Sequence, residues 1–183
     1  MSAKLKFDGL PKLKISLEKL SKRDVYVGIP GKNTLRETPE GEQEPINNAT
    51  IGYLMQNGVP SQNIPARPFM TIGMDQAKPA VIRSFQTAAK KALHKDDAAI
   101  TVGLERAGLT ASAEIKKAIT DGIPPPLKDS TLKARARKYK YRKAERAELA
   151  ARAAGEQPSL SVKPLVDTAQ LLNSITYVIR NKK

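Results

Sequence analysis

Few side chains in this sequence have the types and spacing that catalysis or metal binding requires. With no cysteine and one histidine, disulfides and thiolate metal sites are excluded, and an imidazole-centred site would need carboxylates for nearly all its ligands. That histidine lies in Ala92-Leu93-His94-Lys95-Asp96-Asp97, which offers too few ligands for a closed site. A helix C-terminus accounts for His94, and the two aspartates suit the cap of a following helix. Gly28-Ile29-Pro30-Gly31-Lys32-Asn33-Thr34 has the residue types of a phosphate loop, but the four-residue gap between glycines is absent and Pro30 removes an N–H donor. No nucleophile and base stand out as a pair. The expectation is a protein that is not an enzyme and calls for no cofactor or metal.

Two other stretches carry more information. In Asn63-Ile64-Pro65-Ala66-Arg67-Pro68-Phe69-Met70, two prolines fix their own φ and push the residues before them, Ile64 and Arg67, out of the α region. The segment should be a stiff extended strap. Ile64, Phe69 and Met70 seek burial, and Arg67 seeks an anion or a cluster of carbonyls. Ile64, Pro65, Arg67, Pro68 and Phe69 are therefore candidates for an interface with another subunit or partner, the alternative being a rigid loop packed on its own domain with Phe69 in the core.

Charge marks the second stretch. The formal net charge is +14, which favours an anionic partner. From Lys128 to Arg146 nine cations face two anions, Asp129 and Glu145, so this segment alone carries +7. Lys133, Arg135, Arg137, Lys138, Lys140, Arg142 and Lys143 are the candidates for contact with DNA or an acidic surface, with Tyr139 and Tyr141 placed to stack beside a backbone. A solvated charged helix explains the same residues, since Arg142 with Glu145 and Glu148 with Arg152 have the spacing of local helix pairs. The opposite bias lies between Arg36 and Pro45, where Glu37, Glu40, Glu42 and Glu44 alternate with uncharged residues; residues 31–48 read as a flexible acidic loop or a docking arm for a basic neighbour.

The elements that must hold these stretches follow from periodicity. Leu10, Leu13, Leu17 and Leu20 predict a short first helix ending near Ser21, and Val25, Val27 and Ile29 alternate as a strand over Asp24 to Pro30. An asparagine-capped helix is expected from Asn48, closed by Gly58 in the left-handed position. Ala77, Val81, Phe85, Ala89 and Leu93 form one helical stripe from Gln76. Ile100, Leu104, Ala107, Ala111, Ile115 and Ala118 form a second, over Asp97 to Thr120, whose small residues predict a close helix contact. After the turn Asp121-Gly122-Ile123-Pro124-Pro125-Pro126, Ser130 can cap a single basic helix over 131–154, solvated because Leu132, Tyr139 and Leu149 are too sparse for a core stripe. One or two helical turns capped at Asp167 or Thr168 and a closing strand from Ile175 to Arg180 finish the chain.

The predicted fold is α+β, one domain over 1–183, with a small mixed or antiparallel sheet that includes the N-terminal and C-terminal strands. Two long helices pack on it, with extended loops and a protruding basic arm over 128–158. No βαβ series supports a nucleotide-binding sheet. The first residues lack the apolar core of a secretion signal and no apolar run approaches a membrane span, so a soluble protein with no membrane partner is expected.

Asn48-Ala49-Thr50-Ile51-Gly52-Tyr53, Asn57-Gly58, the Ile64 to Phe69 strap and the late Pro164-Leu165-Val166-Asp167-Thr168-Ala169-Gln170-Leu171-Leu172-Asn173-Ser174-Ile175 occur in an order that resembles the tail-completion or neck proteins of tailed bacteriophages, the head-tail joining members of the virion morphogenesis group. In that family the late signature runs Pro-Leu-x-Asp-Thr-Gly-x-Leu-x-x-Ser-Ile. Here Leu165, Asp167, Thr168, Leu171, Ser174 and Ile175 match it. Ala169 replaces the glycine, which suggests that the turn needs no positive φ, and Leu54-Met55-Gln56-Asn57 replaces a His-Glu-Phe sequence before Gly58. The resemblance implies a structural virion subunit forming a homo-oligomeric ring, expected to be hexameric, at the head–tail junction. Its partners would be the head connector or adaptor and the tail tube or terminator proteins, with passing contact to genomic DNA; it would assemble in the host cytoplasm and reside in the virion neck. The competing reading is a basic nucleic-acid-binding regulator or packaging factor using helix 131–154, though no helix-turn-helix, zinc or single-strand-binding signature accompanies it.

Overall fold

The computed structural model describes residues 21–33, 46–93, 98–138 and 142–182, together with 14, 15 and 18. Strand β1 covers Arg23–Gly28; helix α1 covers Asn48–Asn57, α2 Phe69–Leu93, α3 Ala98–Asp121, α4 Asp129–Lys138, α5 Lys143–Ala153 and α6 Gln170–Ser174; strand β2 covers Thr176–Asn181. The architecture is α+β, as the periodicities predict. β1 and β2 pair antiparallel, from Arg23 opposite Asn181 to Gly28 opposite Thr176, and make a two-stranded sheet. Val25 and Val27 turn to the interior while Tyr26 stays 55% exposed, the pattern of a strand with one face on a core.

The close helix contact forms between α2 and α3. Ile100, Leu104, Ala107, Ala111, Ile115 and Ala118 are all buried on α3. A Cβ added at Gly73 would lie 2.4 Å from Ile115 Cα, and one at Gly103 would lie 2.3 Å from Ala88 Cβ, so glycine at both crossings lets the backbones approach. The sheet lies on α3, where Gly108 accommodates the ring of Tyr177 and Arg23 Nη1 donates to Thr101 Oγ1 at 3.0 Å.

One cluster gathers Phe69, Ile115, Ile119, Ile123, Leu165 and Ile175, with Val27, Ile29 and Met55 packed against it. A second joins Ala92, Ile100 and Leu104 to Val25, Phe85 and Ile179 of the sheet side. A third, Leu127, Leu132 and Val162 with Leu149, lies under the basic segment.

Several boundaries differ from the sequence reading for identifiable reasons. Helix α2 starts at Phe69 and not near Gln76, because the Pro68 carbonyl accepts from Ile72 N–H and the Gln56 side chain accepts from Met70 N–H at 2.9 Å, two interactions invisible to a stripe count. The extended strap accordingly ends at Pro68. Asn47, and not Asn48, caps α1, its Oδ1 accepting from Thr50 N–H at 2.8 Å. Gly58 has φ 74° but ψ 168°, outside the left-handed helical well, so that the chain turns at once into the strap.

The single basic helix is two helices, α4 and α5, packed on each other. Ser130 lies inside α4 and does not cap it. The sparse apolar residues suffice because Leu132 finds Leu127, Leu149 and Val162 across the hairpin and becomes fully buried, so the pair is not a solvated arm.

Ala169 also departs from expectation, since its φ of 59° puts it in the left-handed region at the start of α6. The turn does require positive φ, and alanine tolerates it at a cost of about 1–2 kcal/mol.

The first helix, residues 10–21, falls mostly outside the described residues; positions 14, 15, 18 and 21 are helical. Most of the acidic loop, with His94, Asp96, Asp97, Lys140 and the tyrosines 139 and 141, also lies outside the described residues.

Replacing Ala169 by Gly relieves that strain against a gain of unfolded-chain entropy of about 0.4–1 kcal/mol, so the variant should be more stable by about 0.5–1 kcal/mol. Thermal melting followed by circular dichroism should show a small rise; a fall would show that the positive φ carries no strain.

Candidate interaction surfaces

The strap is seated on its own subunit. After the turn at Gly58, Val59 and Ile64 form an antiparallel bridge, with Val59 N–H donating to Ile64 O at 2.8 Å and Ile64 N–H to Val59 O at 3.1 Å. Arg67 N–H then donates to the Met55 carbonyl at 2.7 Å, binding the strap to the end of α1. Gln56 works from the same helix end, with Nε2 donating to Thr71 Oγ1 at 2.8 Å while Oε1 holds Met70 N–H. The strap therefore runs from the C-terminus of one helix to the N-terminus of the next, and backbone donors that proline leaves uncommitted are taken up by α1.

Arg67 and Phe69 are spent inside the chain. Phe69 is fully buried in the main cluster. Truncating it to alanine would cost about 3–5 kcal/mol, a large part of an ordinary domain's stability. Arg67 is 6% exposed and its Nη2 donates to the Pro125 carbonyl at 2.8 Å, so it finds the carbonyl that its type seeks and not a partner's anion. Burial, and then the charge of Arg135, lower its pKa. Its Nε has no hydrogen-bond partner among the described residues. The assignment of Arg67 and Phe69 to a subunit interface is therefore corrected: an outer surface of the strap is left at Asn63 and Ala66, which are exposed, and at Ile64, Pro65 and Pro68, which are half-buried.

The late signature packs where the strap ends. Leu165 and Ile175 share the cluster of Phe69, and Leu171 approaches Gly52 of α1. A cleft of about 120 Å³ opens between α1 and this segment, lined by Ile51, Met55, Arg135, Asp167, Thr168 and Gln170. Ser174 closes α6 with its hydroxyl donating to Leu171 O at 2.7 Å.

The basic hairpin divides its cations into two groups. Arg135 is held by three carbonyls, donating to Pro164 O at 2.8 Å, Val166 O at 3.0 Å and Lys163 O at 3.3 Å. Arg142 pairs with Glu145 at 2.8 Å, as its spacing predicts, and also with Asp167 at 2.7 Å. Arg152 pairs with Glu148 at 2.8 Å, again as expected, and with Asp129 at 2.7 Å. Arg135 and Arg142 thus clamp α4 and α5 onto the Pro164–Asp167 segment and are not free for DNA, a correction forced by carbonyls and carboxylates that lie distant in sequence. Lys133, Arg137, Lys138 and Lys143 remain exposed, and Arg137 uses its Nε on Lys133 O at 3.3 Å.

Glu148 was visible in the sequence only as a local helix partner. It is 5% exposed and accepts from the hydroxyls of Ser159 and Ser161, from Ser159 N–H at 2.8 Å and from Arg152. The Ser159-x-Ser161 spacing, which sets two hydroxyls on one side of an extended chain, was the available signal. These serine donors outweigh burial and hold the carboxyl at a pKa of about 2. Among the described residues, no three His, Cys, Asp or Glu side chains come together as a metal site, and no helix is long and apolar enough to cross a membrane. No family model, curated protein or solved structure matches the chain.

Because the folded pKa of Glu148 is depressed, its contribution to stability is full above the unfolded value of 4.5 and is lost as pH falls toward about 2. Glu148→Gln leaves Arg152 short of a buried partner and should destabilise by about 3 kcal/mol at neutral pH. Denaturant titrations from pH 6 to 2 should show wild type and variant converging with acid; parallel curves would rule out this role.

Proposed function

We propose that this chain is a non-enzymatic structural subunit of a tailed-bacteriophage virion, a tail-completion or neck protein that forms a ring, expected to be sixfold, at the junction of head and tail. The observation that carries the reading is the meeting of its two motifs: Phe69 at the end of the strap shares one core with Leu165 and Ile175 of the late signature, although about a hundred residues separate them. Two motifs matched only in sequence order had no obligation to converge. The positive φ of Ala169 adds support, because the related signature has glycine at that position.

The corrected strap fits this role in a different way from the sequence reading. Arg67 and Phe69 hold it rigid, and its outer edge, with Ala66 exposed, is a preformed extended surface for a neighbour in a closed ring. Head connector and tail terminator proteins are the expected partners above and below. Exposed Lys133, Arg137, Lys138 and Lys143 suit passing contact with the phosphates of DNA, which needs no base recognition.

The reading as a basic regulator loses ground because Arg135 and Arg142, central to its proposed contact, hold the hairpin on the domain.

Gold-labelled antibody against the chain, applied to particles purified from cells that encode it, should mark the head–tail junction and no other part of the particle. Absence from particles would overturn the proposal. Tight, salt-dependent duplex binding by the isolated monomer that Lys133→Ala, Arg137→Ala and Lys138→Ala abolish would favour the regulator instead.

A further inference from the structure

Helices α2 and α3 use one side of their contact to carry the sheet, and the other side is an open groove. Its floor is small: Ser84, Ala88, Ala99 and Gly103 are buried where the backbones meet. A cleft of about 290 Å³ at its centre is lined by Ala80, Arg83, Ser84, Thr87, Arg106 and Thr110. A second, of about 180 Å³, shares Ser84, Thr87 and Arg106 and continues past Val102 to Lys91. Among the described residues, no carboxylate lines either cleft, and Arg83, Lys91 and Arg106 have no ion pair. Val102 stands 60% exposed on the rim, with Ile82 at 46% on the adjoining face. Three cations with no ion pair among the described residues, two threonine hydroxyls and an apolar rim favour an acidic peptide segment over a bare phosphate backbone, which would have no use for Val102 or Ile82.

The chain itself contains such a segment. Between Thr34 and Pro45 four glutamates oppose one arginine, a net charge of −3, and Leu35 supplies an apolar side chain. Glu40, Glu42 and Glu44 alternate, so an extended chain would present them on one side, with about 13 Å between the first and the last. Arg83 and Lys91 are eight residues apart on α2, about 12 Å along the helix. Charge sign and spacing both match.

The segment's anchors favour a neighbour's groove. It begins six residues after Gly28, which faces Met70 at the start of α2, and it returns to the N-terminus of α1, a ten-residue helix whose other end, about 15 Å on, meets the start of α2 through Gln56. Met70 and Lys91 are about 31 Å apart along α2, whereas Glu44 is two residues, at most about 7 Å of chain, from Ile46. We propose that the α2/α3 groove receives the acidic segment Glu37–Glu44 of a second copy of this chain, through Arg83, Lys91 and Arg106. Each subunit offers one groove and one segment, so the contact is head-to-tail, and it closes into a ring where the rotation between neighbours permits closure. The inference rests on the proposed self-assembly but not on where in a virion the ring sits.

A labelled peptide of residues 34–46 titrated with the full chain carrying Glu40→Gln, Glu42→Gln and Glu44→Gln should bind saturably. Binding should weaken at least ~tenfold when Arg83→Glu and Lys91→Glu are added, and should also weaken at high salt. A charge exchange supplies the second readout. A chain carrying Glu40→Lys, Glu42→Lys and Glu44→Lys and one carrying Arg83→Glu, Lys91→Glu and Arg106→Glu should each fail to associate alone in sedimentation velocity, and an equimolar mixture should recover association. Peptide affinity unaffected by the groove substitutions, no peptide binding, or a mixture that stays dissociated while both variants keep their circular dichroism overturns the proposal. So does displacement of the peptide by short duplex DNA at equal or lower concentration, which would make the groove a phosphate site. Any of these results with neck labelling intact removes the groove contact and leaves the virion role standing.

Discussion

The placement of Phe69 is the constraint on which the rest depends. It is the first residue of α2 and the residue after the second proline of the strap, so its burial fixes where an extended segment ends and a helix of 25 residues begins. Burying an aromatic at a helix start needs the preceding chain held in place, since a loose entry would let the helix slide or fray. Three interactions supply that hold: Arg67 N–H on Met55 O, the Arg67 guanidinium on Pro125 O, and the Gln56 carboxamide on Met70 N–H. The first and third come from the end of α1, and the second from the proline turn after α3. Once α2 is placed, the glycine crossings fix α3, α3 carries the sheet, and Leu165 and Ile175 close over the same core.

Arginine acts mainly as a structural tie in this chain. Arg67, Arg135 and Arg152 each donate to backbone carbonyls in loops, where a planar donor with several N–H groups can collect acceptors that no helix or strand satisfies. A net charge of +14 therefore overstates the charge available to a partner. Two of the exposed arginines, Arg83 and Arg106, sit in the groove between the long helices and outside the segment of highest cation density. Charge density in sequence and charge availability in space are different quantities, and the hairpin shows the difference most plainly.

Much of the fold was legible because periodicity reports burial directly. The alternation of Val25 and Val27, the small-residue stripe of α3 and the closing strand all appear where the pattern puts them. What failed was decided by partners remote in sequence. The start of α2 depends on Gln56, thirteen residues before Phe69, and the break between α4 and α5 accompanies a core formed with Val162. The strap was legible as extended, and the chain from Ile64 to Pro68 is outside any helix. Its direction was not, because a proline-bracketed arginine seeks carbonyls equally well in its own chain or in a neighbour's. At Ala169 the residue type argued against positive φ and the tertiary fold imposed it.

Native-state hydrogen exchange at the Arg67 and Met70 amides tests this account most directly, because both donate to α1 only if the strap is seated on its own subunit. Both should exchange in the isolated chain as slowly as the core amides of α2 and α3, through opening of the whole domain. Exchange at the rate of an open loop would contradict it, and would return the strap to a free arm that is ordered only by a neighbour.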